Sequence, residues 1–168
     1  MSSNAVAFGT LAIGAVAGAV IDVRTRRVPN ALTLGLAASG IAAAAAGVSG
    51  LSLGASLVGF ALGMALMLPG HLIAGTGAGD VKFFAAIGTL IGPVAIATAF
   101  LYTALAGGVL AVFVALRRQR LQRTLLATAG LMSGNAAQAA AIESPLANNR
   151  FAYAPAIAIG SLLAALGV

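Results

Sequence analysis

The sequence predicts an all-α, polytopic membrane protein with six transmembrane helices, and three observations carry that prediction. The chain is 61% hydrophobic and only 7% charged, with a mean hydropathy of +1.07, whereas a water-soluble domain carries about 25% charged residues. Its apolar stretches recur at roughly the length of a bilayer-crossing helix and are separated by short polar segments. Its lysines and arginines cluster in a few of those segments, as expected when cations set topology. The abundance of Ala and Gly fits helices whose backbones approach closely.

The predicted helices are approximately 5–22, 31–48, 52–70, 80–92, 94–116 and 151–168, within one membrane-embedded domain spanning 1–168. The first apolar run follows Met1-Ser2-Ser3-Asn4, which lacks the positive region of a signal peptide. That run ends in Asp-Val-Arg rather than at a small-residue cleavage site, so it is expected to remain as a helix. Val28-Pro29-Asn30 then marks a turn: Pro29 disfavours helical geometry at Val28, and Asn30 is placed to cap the second helix. The third helix closes at Pro69-Gly70, where His71 reads as an interfacial residue. The fourth is short, about 18 Å at helical rise, but a single helix over 81–116 would reach about 54 Å. Gly92-Pro93 therefore reads as a turn between two crossings. Gly88 and Gly92 have the spacing of a helix-packing motif.

Charge supports the same division. With both termini outside, the cytoplasmic segments are 22–30, 71–82 and 117–150, and they contain every lysine and arginine in the chain. The loop 117–150 opens with arginines flanking Leu121, Leu125 and Leu126, a pattern expected of an interfacial amphipathic helix. Glu143 and Ser144-Pro145 belong to linker. The net charge of +6 is thus explained by topology and contact with anionic lipid rather than by nucleic acid. The absence of cysteine excludes disulfides, thiolate metal sites and cysteine nucleophiles, and no cofactor is expected.

Two of the three acidic residues stand where acids are costly. Asp22 follows the first apolar run, and Asp80 lies in G-T-G-A-G-D-V-K at 75–82. A carboxylate in hydrocarbon costs about 2.5–3.5 kcal/mol on insertion scales, which makes each a functional candidate. The predicted topology brings both to the cytoplasmic face. Structural roles exist for each: Asp22 can end its helix beside Arg24 and Arg26, and Asp80 can cap the fourth helix. Gly75, Gly77 and Gly79 give the backbone freedom to approach another chain or admit a substrate strand. Peptide hydrolysis by an aspartate pair needs one ionised and one protonated carboxyl. Two carboxylates about 4 Å apart at an effective dielectric near 20 repel by about 4 kcal/mol, so such a pair shares a proton. The alternative is a small cation or proton transporter using the same two acids, although helices 1 and 2 offer it little polar lining beyond Thr10, Thr33 and Ser39.

Three stretches together resemble the type IV prepilin (leader) peptidases, within the GxGD class of intramembrane aspartyl proteases. They are D-V-R-T-R-R-V-P-N at 22–30, G-A-G-D-V-K at 77–82 and R-F-A-Y-A-P-A-I-A-I-G at 150–160. The resemblance implies that Asp22 and Asp80 form the catalytic pair and that prepilins or pseudopilins are the substrates. It also implies cleavage of a positively charged leader at the cytoplasmic face of the bacterial inner membrane. Longer members carry a domain between the first two helices, often with paired CxxC motifs; here only Arg24–Asn30 separates them. The chain looks like the short form of Flp (tight-adherence) pilus systems. Lys82 is expected to tune the pair or contact substrate, or else to snorkel to headgroups, and Pro155 to kink the last helix or open a gap beside it. The sequence favours neither monomer nor dimer.

Overall fold

The computed structural model describes residues 2–72, 76–117 and 152–167. Its five helical elements, in chain order, are α1 (Ser2–Thr25), α2 (Asn30–Ala45), α3 (Leu53–Leu72), α4 (Ala78–Arg117) and α5 (Ala154–Leu166). The predicted amphipathic helix and linker of the 117–150 loop lie outside the described residues, apart from Arg117 at the end of α4.

Local chemistry sets the helix ends. α1 runs past Asp22, and the Arg26 N–H donates to the Asp22 carbonyl at 2.7 Å before the chain leaves the helix with Arg26 at φ 54°. A left-handed residue at this position is a common helix stop, usually filled by glycine. α2 ends earlier than predicted, at Ala45. Gly47 adopts φ 69°, and the Gly47 and Val48 N–H groups return to the carbonyls of Ala44 and Ala43. That pair of bonds is a Schellman cap, and it stops a run of alanines that hydropathy alone would extend. Ser52 caps α3, its hydroxyl accepting from the Ala55 N–H at 3.1 Å. α5 is shorter than 151–168 and stops at Gly167, φ 73°.

α4 bears directly on the prediction of two helices over 80–116. It consists of two helices that meet at Gly92, which takes φ 77° and ψ 179°, a region essentially confined to glycine. The rings of Phe84 and Phe100 stand 6.3 Å apart, edge to face. In a straight helix those residues would be separated by about 24 Å. The chain therefore folds back at Gly92-Pro93 into antiparallel halves, 78–91 and 93–117.

The first half is the centre of the molecule. Every residue from Phe83 to Leu90 is buried, and a helix apolar on all sides must be enclosed by others. α1 meets it where Gly18 faces the Phe83 ring, α2 where Gly40 faces Thr89, and α3 where Gly59 faces Gly88. At that last crossing a methyl group on either glycine would fall inside contact distance of the other's carbonyl oxygen. Thus Gly88 packs as its spacing predicts, and Gly92 packs there too, its carbonyl carbon 3.1 Å from a Cβ placed on Gly59, while also serving as the turn. Nearby, the buried Ser56 hydroxyl donates to the Thr89 carbonyl at 2.9 Å.

Among the described residues, three helical stretches are suited by length and composition to crossing a membrane: Ala5–Thr25, Leu53–Leu72 and Ala78–Phe113. α2 and α5 are apolar but shorter. Exposed apolar side chains such as Ile13, Leu34, Val94 and Val109 cover the outside, as a lipid-facing surface requires.

The Gly59–Gly88 contact gives a direct stability test. Gly59→Ala should destabilise the protein in detergent by about 1–3 kcal/mol through overpacking. Gly35→Ala, on an exposed face with nothing near the added carbon, should be neutral or stabilising by up to about 1 kcal/mol. Equal melting temperatures for the two variants would contradict the crossing.

Candidate active site

Both aspartates lie at the same end of the bundle, where α1 ends and α2, α4 and α5 begin. Asp22 continues the buried stripe Ala7, Leu11, Ala15 and is 4% exposed. Spacings of four, four and seven keep these residues on one helical face. Its Oδ2 accepts the Ala154 N–H at 3.0 Å, across 132 residues of chain, and the Tyr153 main chain is a second partner. The carboxylate therefore sits on the N-terminus of α5, where unpaired N–H groups and the helix dipole favour an acceptor.

Asp80, 8% exposed, occupies the third position of α4, not the cap predicted for it. Gly77 is the cap. The Asp80 N–H donates to the Gly77 carbonyl at 3.0 Å, while Asp80 Oδ2 accepts the Gly77 N–H at 3.1 Å. This is the returning half of a capping box. Gly77 has a steric role here, since a Cβ at that position would stand 3.1 Å from Asp80 Oδ2. At Gly79 a Cβ would meet the backbone and side chain of buried Val28 at 3.4–3.5 Å, an ordinary contact. The left-handed glycines among the described residues are 47, 50, 92 and 167. Gly77 and Gly79 thus contribute closeness rather than unusual backbone angles; Gly75 lies outside the described residues.

The carboxylate of Asp22 acts electrostatically on Asp80, and that of Asp80 on the Tyr153 phenol. The two buried acids and the tyrosine are thus within electrostatic reach of one another at this end of the bundle. Each acid takes a hydrogen bond from main chain, so its position does not depend on a flexible partner.

Two expectations about the surrounding residues need correction. Asn30 does not cap α2: Pro29 holds the cap position and Asn30 is the first helical residue. The Asn30 Oδ1 instead accepts from Lys82 Nζ at 3.2 Å, because a side chain inside the first turn reaches a neighbour more readily than its own N–H groups. Pro155 does not kink α5, since it lies in the first turn, where proline removes an N–H that would be unpaired anyway. Its neighbour's N–H is the one given to Asp22. His71 is exposed at this end, its Nδ1 3.0 Å from the Thr76 carbonyl.

Sequence reasoning missed Tyr153, the Ala154 N–H and Val28. Val28 lies inside a recognised motif, and its hydrophobicity beside Pro29 was a usable signal. Residues 153 and 154 lie in the 150–160 stretch that shares the resemblance, but the sequence does not pair them with the Asp22 carboxylate.

These features define an apolar helical bundle of the membrane type, with paired acids buried at one end. A family model described as the type IV leader peptidase family matches residues 9–112, and the chain belongs to that family. It is accordingly a peptidase of the leader-peptidase kind, built from membrane helices. The matched region contains both aspartates and stops short of α5. No curated protein and no solved structure matches the chain.

Asp22→Ala and Asp22→Asn remove the same charge, but only Asn retains an acceptor for the Ala154 N–H. The alanine variant should therefore be the less stable by about 1–3 kcal/mol, the cost of an unpaired buried donor. Chemical denaturation in detergent measures the difference, and identical midpoints would mean that the bond does not hold α5.

Proposed function

We propose that this protein is an intramembrane aspartyl endopeptidase that removes the positively charged leader from prepilins of the Flp type. The burial of Asp22 and Asp80 at the same end of the bundle, within a member of the leader peptidase family, is the observation that carries the reading. In this reading the chain crosses the bacterial inner membrane six times with both termini outside. The α4 fold-back supplies two of the crossings, and the aspartates face the cytoplasm.

The chemistry follows from the pair. One carboxylate takes a proton from water as the water oxygen bonds to the scissile carbonyl carbon. The other carboxyl gives its proton to the carbonyl oxygen. Collapse of the tetrahedral adduct breaks the C–N bond: the leaving nitrogen takes the proton held by the first carboxyl, while a hydroxyl of the adduct gives its proton to the second carboxylate, which returns the pair to its starting state. Main-chain donors at Ala154 and Gly77 hold the carboxylates while this happens. Preorganised groups of this kind need no rearrangement as charge develops.

Lys82 and Asn30 are exposed beside the site and hydrogen-bonded to each other. An ammonium donor and an amide acceptor so placed match the carbonyl and N–H of an extended substrate, and we assign them to the main chain around the cleavage point. Pro29 and Gly79 shape this edge, Pro29 by fixing the turn and Gly79 by packing directly against Val28.

Co-expression with a Flp-type prepilin and measurement of the precursor-to-mature shift tests the reading. Wild type should process the precursor, and Asp22→Asn or Asp80→Asn, inserted at equal level, should each reduce the rate at least about 100-fold. Normal cleavage by either variant would remove that residue from the catalytic pair.

A further inference from the structure

Tyr153 lies outside the family match and beside Asp22 at the aspartate end of the bundle. Its main chain and that of Ala154 hold Asp22, so the residue is tied to one acid before its side chain is considered. The side chain turns toward the second half of α4, where a Cβ on Gly107 would stand 2.6 Å from Cε2 and 2.9 Å from the phenol oxygen. Only glycine at 107 leaves room for the ring in that place. The pairing of Phe84 with Phe100 fixes the register of the two halves of α4. Carried toward the site, that register sets Gly107 level with the Gly77–Asp80 turn. The phenol is therefore delivered to the depth of the second acid, whose charge acts on it.

We propose that Tyr153 is a positioning residue of the active site, whose backbone fixes Asp22 while its hydroxyl orients Asp80. The proposal rests on the peptidase reading for its consequence in turnover but not for its geometry. One residue thereby sets the relation between the two carboxylates, and Gly107 acts through it as the ring's seat. A phenol suits this role because it is rigid, reaches across the site from a helix cap, and can donate one hydrogen bond to a carboxylate. Phenylalanine would preserve everything except that bond.

The first test needs no substrate. The chain has two tyrosines and no tryptophan, so Tyr102→Phe leaves Tyr153 as its only tyrosine. In that background the ¹³Cζ resonance of Tyr153 should move when Asp80→Asn is introduced, a change that preserves an acceptor for the Gly77 N–H. An unmoved resonance overturns the proposal. The second test is turnover in proteoliposomes. Tyr153→Phe should lower kcat about 10-fold or more, with KM and melting temperature close to wild type.

Gly107→Ala should reproduce the kcat loss by displacing the ring, whereas Gly108→Ala, which faces open space, should not. The Tyr153→Phe/Gly107→Ala double variant should be little worse than either single change, as coupled residues require. Wild-type kcat in Tyr153→Phe, or fully additive losses, would overturn the assignment. If Asp22→Asn and Asp80→Asn both still process prepilin, the peptidase reading fails instead, and the resonance test continues to decide whether Tyr153 stands at Asp80.

Discussion

Enclosure of one short helix, residues 78–91, governs how every neighbouring element is placed. Apolar side chains gain little by leaving lipid for protein, so membrane helices associate through close packing and hydrogen bonds. Here the neighbours approach by removing side chains at the crossings: Gly18 for the Phe83 ring, Gly40 for Thr89, and Gly59 against Gly88. Because these contacts surround a helix with no exposed side from Phe83 to Leu90, its end is held from several directions. Asp80 occupies that end. The most buried element thus carries one of the two acids, one turn from the cap that fixes it.

Asp22 is held by a different principle. Its helix contributes one face and much of its surface remains outward, as the exposure of Ile13, Val16 and Val20 shows. What fixes the carboxylate is the N-terminus of α5, a helix buried through Ala154, Ala156, Ile157 and Ala158 against α1 and α4. Proline in the first turn of α5 costs no helical hydrogen bond there, and the Ala154 N–H finds its partner in another helix. The cluster is consequently assembled from the beginning, middle and end of the chain. Docking of α5 completes it.

The departures from expectation share a cause. For Asn30, Asp80 and Pro155, neighbours in sequence suggest the roles of cap, cap and kink. In the folded chain the caps are Pro29 and Gly77, and the side chains of Asn30 and Asp80 serve from inside the first turn. A shift of one to three residues at a helix start exchanges these roles, and hydropathy does not locate starts that finely. Pro155 reads as a kink only if its helix begins several residues earlier. Hydropathy misplaces two further ends for the same reason: it carries α2 past the left-handed Gly47 and starts α5 ahead of its cap at Tyr153.

Several properties of this chain are legible without its fold. It is helical and apolar enough for a membrane, it turns at Gly92-Pro93, and Asp22 and Asp80 are its exceptional acids. Those properties are local: they reside in composition, in the conformational limits of glycine and proline, and in the cost of a buried charge. Other properties emerge only when the helices pack. Residues 78–91 become the central helix, glycines on three neighbours give it room, and the Ala154 N–H reaches an aspartate 132 residues away, bringing Tyr153 with it. Such pairings depend on which helix faces meet, and the small residues that permit one close crossing would permit many. The choice among them is made by the assembled bundle.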